Sequence, residues 1–165
     1  MKKSTSLPIL LTNPSILIIG GGKVAFHKAK ILQKNNIDFF VVAKMVIPKL
    51  LKLTKNIKQK SFQRKDIQNH FIIINATGDI KVTNKLLKYK KKHPLLLNIV
   101  DNPKHCDFYF MALTKNKPLQ IAVTTNGFSP LLAKTFRDKC QNIIPKNINS
   151  LVKKKKKERK KEKNG

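Results

Sequence analysis

Short apolar runs recur along the first hundred residues, each closed by small or polar residues. Ser15-Ile16-Leu17-Ile18-Ile19 ends in three glycines and reads as a strand buried on both faces of a parallel sheet. From Val24 to about Gln33, the residues Val24, Ala25, Ala29, Ile31 and Leu32 predict a helix facing that sheet, broken at Asn35-Asn36. Phe39-Phe40-Val41-Val42 predicts a second buried strand, completing a strand-helix-strand unit. Ile47 to Leu53 suits a short helix and Ile57 to Phe62 a short strand. Phe71 to Ile74 is another strand, ending at Asn75-Ala76-Thr77-Gly78-Asp79. Val82 to Tyr89 predicts a helix burying Leu86 and Leu87, and Leu95 to Val100 a strand ending at Asp101. Strands alternating with helices predict an α/β fold, a parallel sheet covered by helices on both faces.

The pattern changes after Pro103. Phe108-Tyr109-Phe110 and Leu119 to Val123 predict a β-hairpin around a polar turn at Lys115-Asn116-Lys117. Ser129-Pro130 then opens a helix running to Cys140 or beyond, with serine as cap and proline in the first turn. A hairpin and one helix are too small to stand alone and predict a segment that packs on a partner, such as a second copy of the chain. Residues 151–165 are lysine-rich, and like-charge repulsion predicts a disordered tail. The expected division is 1–103, 104–150 and 151–165.

Charge adds one constraint. The chain carries 36 Lys+Arg against 8 Asp+Glu, a formal net charge of +28. Only Arg64, Arg137 and Arg159 are arginine, so the excess is lysine spread along the whole chain. Base readers and bidentate phosphate clamps favour the guanidinium fork. The excess reads more as compositional drift than as a designed binding face, and it attracts polyanions at low salt. Charge alone leaves nucleic acid, an acidic substrate and bias open, and no specific nucleic-acid partner is expected. Cys106 and Cys140 lack a paired metal-ligand spacing and read as free thiols of a reducing cytosol. The apolar run Leu7 to Leu11 after Met1-Lys2-Lys3 is interrupted by Asn13 and Pro14, without a small-residue cleavage site. No stretch is long enough to cross a bilayer. These features predict a soluble, cytoplasmic protein.

Gly20-Gly21-Gly22-Lys23-Val24-Ala25 fits G-x-G-x-x-G/A at the exit of one strand and the start of a helix. In this reading Gly20 permits the tight turn, Gly22 lets the backbone approach a pyrophosphate, and Ala25 keeps helix and strand close. The phosphates would lie at a helix amino terminus, where free N–H groups favour anions. This predicts a Rossmann-type domain binding a dinucleotide. The ribose-binding acid expected about 20 residues on is missing: Val42-Ala43-Lys44 ends the second strand, and Asp38 lies too far back. The spacing leaves NAD and NADP open.

Other separated pieces complete an ordered set. They are Asn75-Ala76-Thr77-Gly78-Asp79 with Asn84, Asn98-Ile99-Val100-Asp101-Asn102-Pro103, Cys106-Asp107-Phe108, and Ala122-Val123-Thr124-Thr125-Asn126-Gly127-Phe128-Ser129-Pro130. With the glycine loop, they resemble in order and spacing the precorrin-2 dehydrogenase family, which also forms the amino-terminal half of fused sirohaem synthases. The resemblance runs from about Leu7 to Gln141. It implies NAD-dependent oxidation of precorrin-2 to sirohydrochlorin, with ferrous iron insertion in some members. It also implies a homodimer formed through the part after Pro103. The family's catalytic aspartate falls on Asp101, and cofactor contacts fall on Lys23, Val24, Lys44, Met45 and Thr77 beside the glycines. Members commonly lack the ribose acid, which favours NAD. Met111 stands where the family usually has proline, Asn126 where glycine is common, and the lysine-rich end where many members have a longer helical segment.

The residues carry alternatives of their own. Asp101 suits a general base beside a nicotinamide, or a turn cap before Asn102-Pro103. His105 and Cys106 read as an exposed histidine and a packed thiol, since neighbours on one strand point to opposite faces. His27 reads as solvent-facing, and His70 and His93 have no recognisable partner. Thr124, Thr125, Asn126 and Ser129 before a helix start would suit substrate carboxylates, or an ordinary capped turn. A basic nucleic-acid binder and a non-catalytic NAD-sensing module are the competing functions. The first lacks aromatic residues interleaved with the basic ones, and the second makes Asp101 dispensable.

Overall fold

The central strands of the main sheet grow from the apolar runs and are buried nearly throughout, while the edge strand at Ile57–Gln59 is polar and largely exposed. In the computed structural model, which describes residue 6 and residues 11–114 and 118–162, these are β1 (Ile16–Ile19), β2 (Phe40–Ala43), β3 (Ile57–Gln59), β4 (Ile72–Asn75) and β5 (Leu96–Ile99). They form one parallel sheet in the order β3-β2-β1-β4-β5. The helices between them are α1 (Lys23–Lys34), α2 (Pro48–Leu53) and α3 (Ile80–Lys90). This is the expected Rossmann-type α/β arrangement. The chain divides into two compact units, one ending at Tyr109 and the other starting at Phe110.

In the first unit the helices approach the sheet through few residues. The buried positions of α1 are Ala25, Ala29 and Leu32, a single stripe at i, i+4 and i+7. Val24 and Ile31 fall off that stripe and are exposed, contrary to their expected place against the sheet. On α3, Leu86 is fully buried, while Leu87 only flanks a cluster of Leu17, Ile19, Val42, Ile67, Ile73, Leu95 and Leu97. Asn36, at a φ of 54°, ends α1 in the left-handed conformation that asparagine tolerates.

Phe40, the second residue of its run, and Phe71, the first of its own, stay exposed, while Phe39 is buried. Phe40 lies at a tilt to His70, ring centres 5.4 Å apart. His70 is not partnerless: its Nδ1 hydrogen bonds Ser15 Oγ at 2.8 Å. His93 likewise stacks on Tyr89 at 4.1 Å.

The first unit also keeps residues past 103, where the pattern break set its end. A 3₁₀ turn (Pro103–His105) leads back along the free edge of β5. The strand expected at Phe108–Phe110 does not form, because side chains from this arm do the pairing. Asp107 N–H donates to the Leu97 carbonyl at 2.8 Å, and Leu97 N–H donates to Asp107 Oδ2 at 2.8 Å. Ile99 N–H donates to Cys106 Sγ at 3.1 Å. An open sheet edge is thereby covered without another strand.

The second unit begins with a short antiparallel pair, β6 (Ala112–Leu113) and β7 (Ala122–Val123). The strand expected from Leu119 shrinks to these two residues because its partner is equally short. Beyond the pair, Thr114 substitutes its hydroxyl, accepting from Ile121 N–H at 2.9 Å. The predicted turn Lys115–Lys117 and the opening run Leu7–Leu10 lie outside the described residues. Ser129 caps α4 (Pro130–Ile143) as expected, accepting from Leu132 N–H at 3.2 Å. Residues 151–162 differ from expectation: they belong to a helix, α5 (Ile148–Glu162). Lysine, arginine and glutamate are good helix formers, and a Lys155–Glu158 pair at 2.8 Å offsets some repulsion. Among the described residues, no helix is long and apolar enough to cross a membrane.

Burial, then the nearby Lys58 charge, lower the His70 pKa below its ordinary 6.5, against an opposing pull from Asp66. Unfolding therefore takes up protons at mildly acidic pH. Stability contributed by neutral His70 is fully present above pH 6.5 and falls as pH drops through the folded-state pKa. Urea unfolding at a series of pH values should show this acid-side slope, and His70→Gln should flatten it.

Candidate functional site

Sheet order decides where a ligand can bind. The chain leaves β1 toward β2 and later returns to the other side of β1 as β4, so the loops after β1 and β4 part company at the carboxyl edge. Open α/β sheets hold ligands in that crevice. The glycine loop lies there, wedged between its neighbours. An ideal β-carbon on Gly20, whose φ is +118°, would come within 2.6 Å of the Ala76 carbonyl oxygen. One on Gly21 would meet the Met45 carbonyl oxygen at 2.1 Å. Gly20 N–H donates to Val42 O, and Ile47 N–H donates to Gly21 O, both at 2.9 Å. The middle glycine, with no separate role in the sequence reading, is thus the tightest point of the loop.

Gly22 is different. A β-carbon there would meet nothing within 4 Å. It is the N-cap of α1, makes no side-chain cap, and no acidic residue stands in the first turn. Open space before an uncapped helix of twelve residues fits a phosphate group. Lys23 and Val24 are exposed on the first turn of α1, and Lys44 and Met45 just after β2. These four of the expected contact residues therefore border the glycine loop, with the Met45 backbone packed against Gly21.

On the other side of β1, a buried asparagine organises the β4 loop. Asn75 Nδ2 donates to Thr83 Oγ1 at 3.0 Å, while Oδ1 accepts from Thr77 N–H and from Thr77 Oγ1 at 3.2 and 2.7 Å. Thr77 Oγ1 then accepts from Asp79 N–H at 3.1 Å, and Asp79 caps α3 through Lys81 N–H. Thr77 is thus part of the loop's scaffold as well as exposed at the edge. The sequence reading gave Asn75 no role, although a lone amide at the end of Ile72-Ile73-Ile74 was a visible signal. Asp101 follows β5 on the next loop, exposed, with Oδ2 3.9 Å from the position of a β-carbon on Gly78. The glycines, Thr77 and Asp101 lie along one edge of the sheet.

The candidates Thr124, Thr125, Asn126 and Ser129 belong to the second unit and form a self-bonded turn before α4. Thr125 Oγ1 accepts from Ser129 N–H at 2.9 Å and donates to Ser129 O at 3.1 Å, so its proton is engaged. Thr124 Oγ1 accepts from Asn126 N–H and Ser129 Oγ from Leu132 N–H, which leaves both hydroxyl protons available. Asn126 has a φ of 51°, the left-handed conformation that favours glycine and that asparagine tolerates. His27 and His105 are exposed, and Cys106 is buried. Lys28 on α1 has its pKa lowered by burial, with Cys106 acting in the opposite direction.

The sequence model of a putative NAD(P)-binding family matches residues 7–112, and that of the sirohaem biosynthesis protein central region matches residues 116–139. The siroheme synthase of Blochmanniella floridana is 35% identical over 145 residues, covering 85% of this chain and 31% of that protein. The siroheme synthase of Buchnera aphidicola subsp. Acyrthosiphon pisum is 30% identical over 153 residues, covering 89% and 32%. A solved structure named "SirC, precorrin-2 dehydrogenase" is similar with a TM-score of 0.75 at 24% identity, covering 91% of this chain and 76% of that one. The chain spans about a third of the length of the curated relatives it matches.

The contrast between neighbouring glycines is testable by thermal unfolding. Gly21→Ala forces backbone apart and should cost about 3 kcal/mol or more. Gly22→Ala enters open space and should cost no more than the roughly 1 kcal/mol that alanine costs at an N-cap.

Proposed function

The chain belongs to the putative NAD(P)-binding family whose model spans residues 7–112, and on that premise we propose that it oxidises precorrin-2 to sirohydrochlorin in sirohaem synthesis. The observation that carries this reading is the glycine loop, open at Gly22, on the same sheet edge as the Asp101 carboxylate. The names of the similar proteins support the choice of substrate.

NAD, when bound, supplies the hydride acceptor. The amides at the start of α1 and the space at Gly22 receive its pyrophosphate, and Lys23, Val24, Lys44, Met45 and Thr77 flank it. Oxidation also releases a proton, which the Asp101 carboxylate accepts as general base. A carboxylate at the exit of β5 serves this purpose because it reaches the crevice without crowding the phosphate loop. Thr124 and Ser129 retain hydroxyl protons that suit the substrate's carboxylates, whereas Thr125 and Asn126 shape the turn between them. The spread of lysines raises the encounter rate with an acidic tetrapyrrole, an effect that added salt suppresses.

The functional assembly in this reading is a homodimer formed through the second unit. Leu132, Phe136 and Ile143 share one stripe of α4 and are 47%, 49% and 74% exposed. These exposed apolar side chains, with Lys139 over the Phe136 ring, support an interaction surface on this face. Leu132→Asp combined with Phe136→Asp should convert a sedimenting dimer into a monomer, and an unchanged sedimentation coefficient would remove α4 from the interface.

The central experiment supplies precorrin-2 and NAD without oxygen and follows nicotinamide absorbance. The native chain should form NADH, and Asp101→Ala should abolish its formation while leaving NAD affinity within about twofold. Turnover in that variant would strip Asp101 of its role; NAD binding without any turnover in the native chain would favour the sensing module. Gly22→Ala, which spares the fold, should weaken NAD at least about tenfold as its methyl occupies the phosphate space.

A further inference from the structure

We infer that the buried thiol of Cys106, held by Asn98, is the positioning group that fixes the turn carrying Asp101. This inference rests on the reading of Asp101 as the base and adds what holds that base in place.

Asp101 sits on a turn that has left the sheet's hydrogen-bond ladder. Val100 N–H still donates to the Asn75 carbonyl at 3.1 Å, but Asp101 itself is exposed. The turn is closed by its own backbone bond and braced from within by one sulfur. Cys106 Sγ accepts from Ile99 N–H at 3.1 Å and lies 3.2 Å from Ile99 O and 3.7 Å from Asn102 O. Ile99 and Asn102 bracket Asp101 in the chain, so the thiol spans the turn from within. Backbone bonds from Asn102 N–H to Ile99 O and from Cys106 N–H to Pro103 O, both at 3.1 Å, complete the loop.

The sulfur is itself held. Asn98 Nδ2 donates to Phe108 O at 3.0 Å and lies 3.8 Å from Cys106 Sγ. Asn98 is 4% exposed, and among the described residues its Oδ1 is buried without a hydrogen-bond partner. A buried orphan oxygen costs stability. Asn98 replaces an apolar residue in the middle of β5, where stability alone favours leucine or valine. Its amide instead reaches the Cys106–Phe108 arm. Asp107 adds a second anchor through Leu97 N–H and an ion pair with Lys90. The arm is therefore a brace from the sheet edge to the turn, and the thiol is its contact point.

Cysteine suits this post because a thiol is small and apolar enough to bury, yet both gives and accepts weak hydrogen bonds. Alanine would leave Ile99 N–H unpaired and the turn free to relax, and displacement of a catalytic group by about 1 Å costs up to about a hundredfold in rate. Serine keeps both hydrogen-bonding roles with a shorter reach.

The test compares Cys106→Ala, Cys106→Ser and Asp101→Ala in the full chain. Measurements are NAD affinity, melting temperature, and the pH profiles of kcat and kcat/KM for precorrin-2 oxidation. Cys106→Ala should lower kcat about tenfold or more with little change in KM or NAD affinity. The acid limb of its kcat/KM profile should stay in place while the plateau falls. Cys106→Ser should recover most of kcat. Equal loss of kcat and NAD affinity in Cys106→Ala would make the thiol a general packing residue. A kcat within about twofold of native, in a chain that Asp101→Ala inactivates, would equally overturn the brace. Retained activity in Asp101→Ala would instead overturn the base assignment on which the brace depends. Should Cys106→Ala not fold, Cys106→Ser decides: native kcat at a native melting temperature is expected, and a tenfold loss at that melting temperature overturns the inference.

Discussion

The backbone contact between Gly21 and the Met45 carbonyl is the constraint that orders the site. A single methyl group at Gly21 would stand 2.1 Å from that oxygen, far inside van der Waals contact. The loop after β1 can therefore lie flat against the loop after β2 only without a side chain, and Gly20 meets the same demand against Ala76 on the opposite side. Both neighbours are backbone, which cannot swing aside as a flexible side chain would. Everything that gives the edge its chemistry follows from this fit: the direction of α1, the open space at Gly22, and the distance across to the β4 loop.

A second device holds the far end of the same edge. Parallel sheets are stable when both faces and both edges are covered, and among the described residues β5 has no strand beyond it. The arm after Pro103 covers that edge through the Asp107 carboxylate and the Cys106 thiol. The structural need to finish a sheet and the proposed need to steady the Asp101 carboxylate meet in the same few residues. Asn75 does comparable work one strand inward, where its amide connects Thr83 of α3 to Thr77 of the loop. Polar groups buried in this way are expensive unless paired, and these pairings lie beside the residues proposed to carry the reaction.

The lysine excess has little part in this architecture. Among the described residues, Lys60 pairs with Asp66 and Lys90 with Asp107, and the core is built without charge. Burial raises the Asp66 pKa, but hydrogen bonds from Lys60 and Gln63 and the nearby lysine charges outweigh it and leave the value lowered. Most lysines stand exposed on helix surfaces and loops, where their straight side chains favour helix and interact weakly with one another through solvent. That balance explains why a segment read as a repelled tail lies within α5.

Local patterns were enough to specify the strands, their parallel pairing, the helices between them and the serine cap of α4, because a run buried on both faces leaves the same apolar signature wherever it occurs. The glycine loop and Asp101 were legible for a related reason: each stands directly at the end of such a run. Sequence failed where a side chain substitutes for backbone, as at Phe108–Phe110 and Thr114, since pairing through Asp107, Cys106 or a threonine hydroxyl has no periodicity. It also assigned Val24, Ile31, Phe40 and Phe71 to the core, because hydrophobicity identifies what can be buried while packing geometry selects what is. Which glycine is crowded and which faces open space depends on loops brought together from β1, β2 and β4, and only the folded chain could decide that.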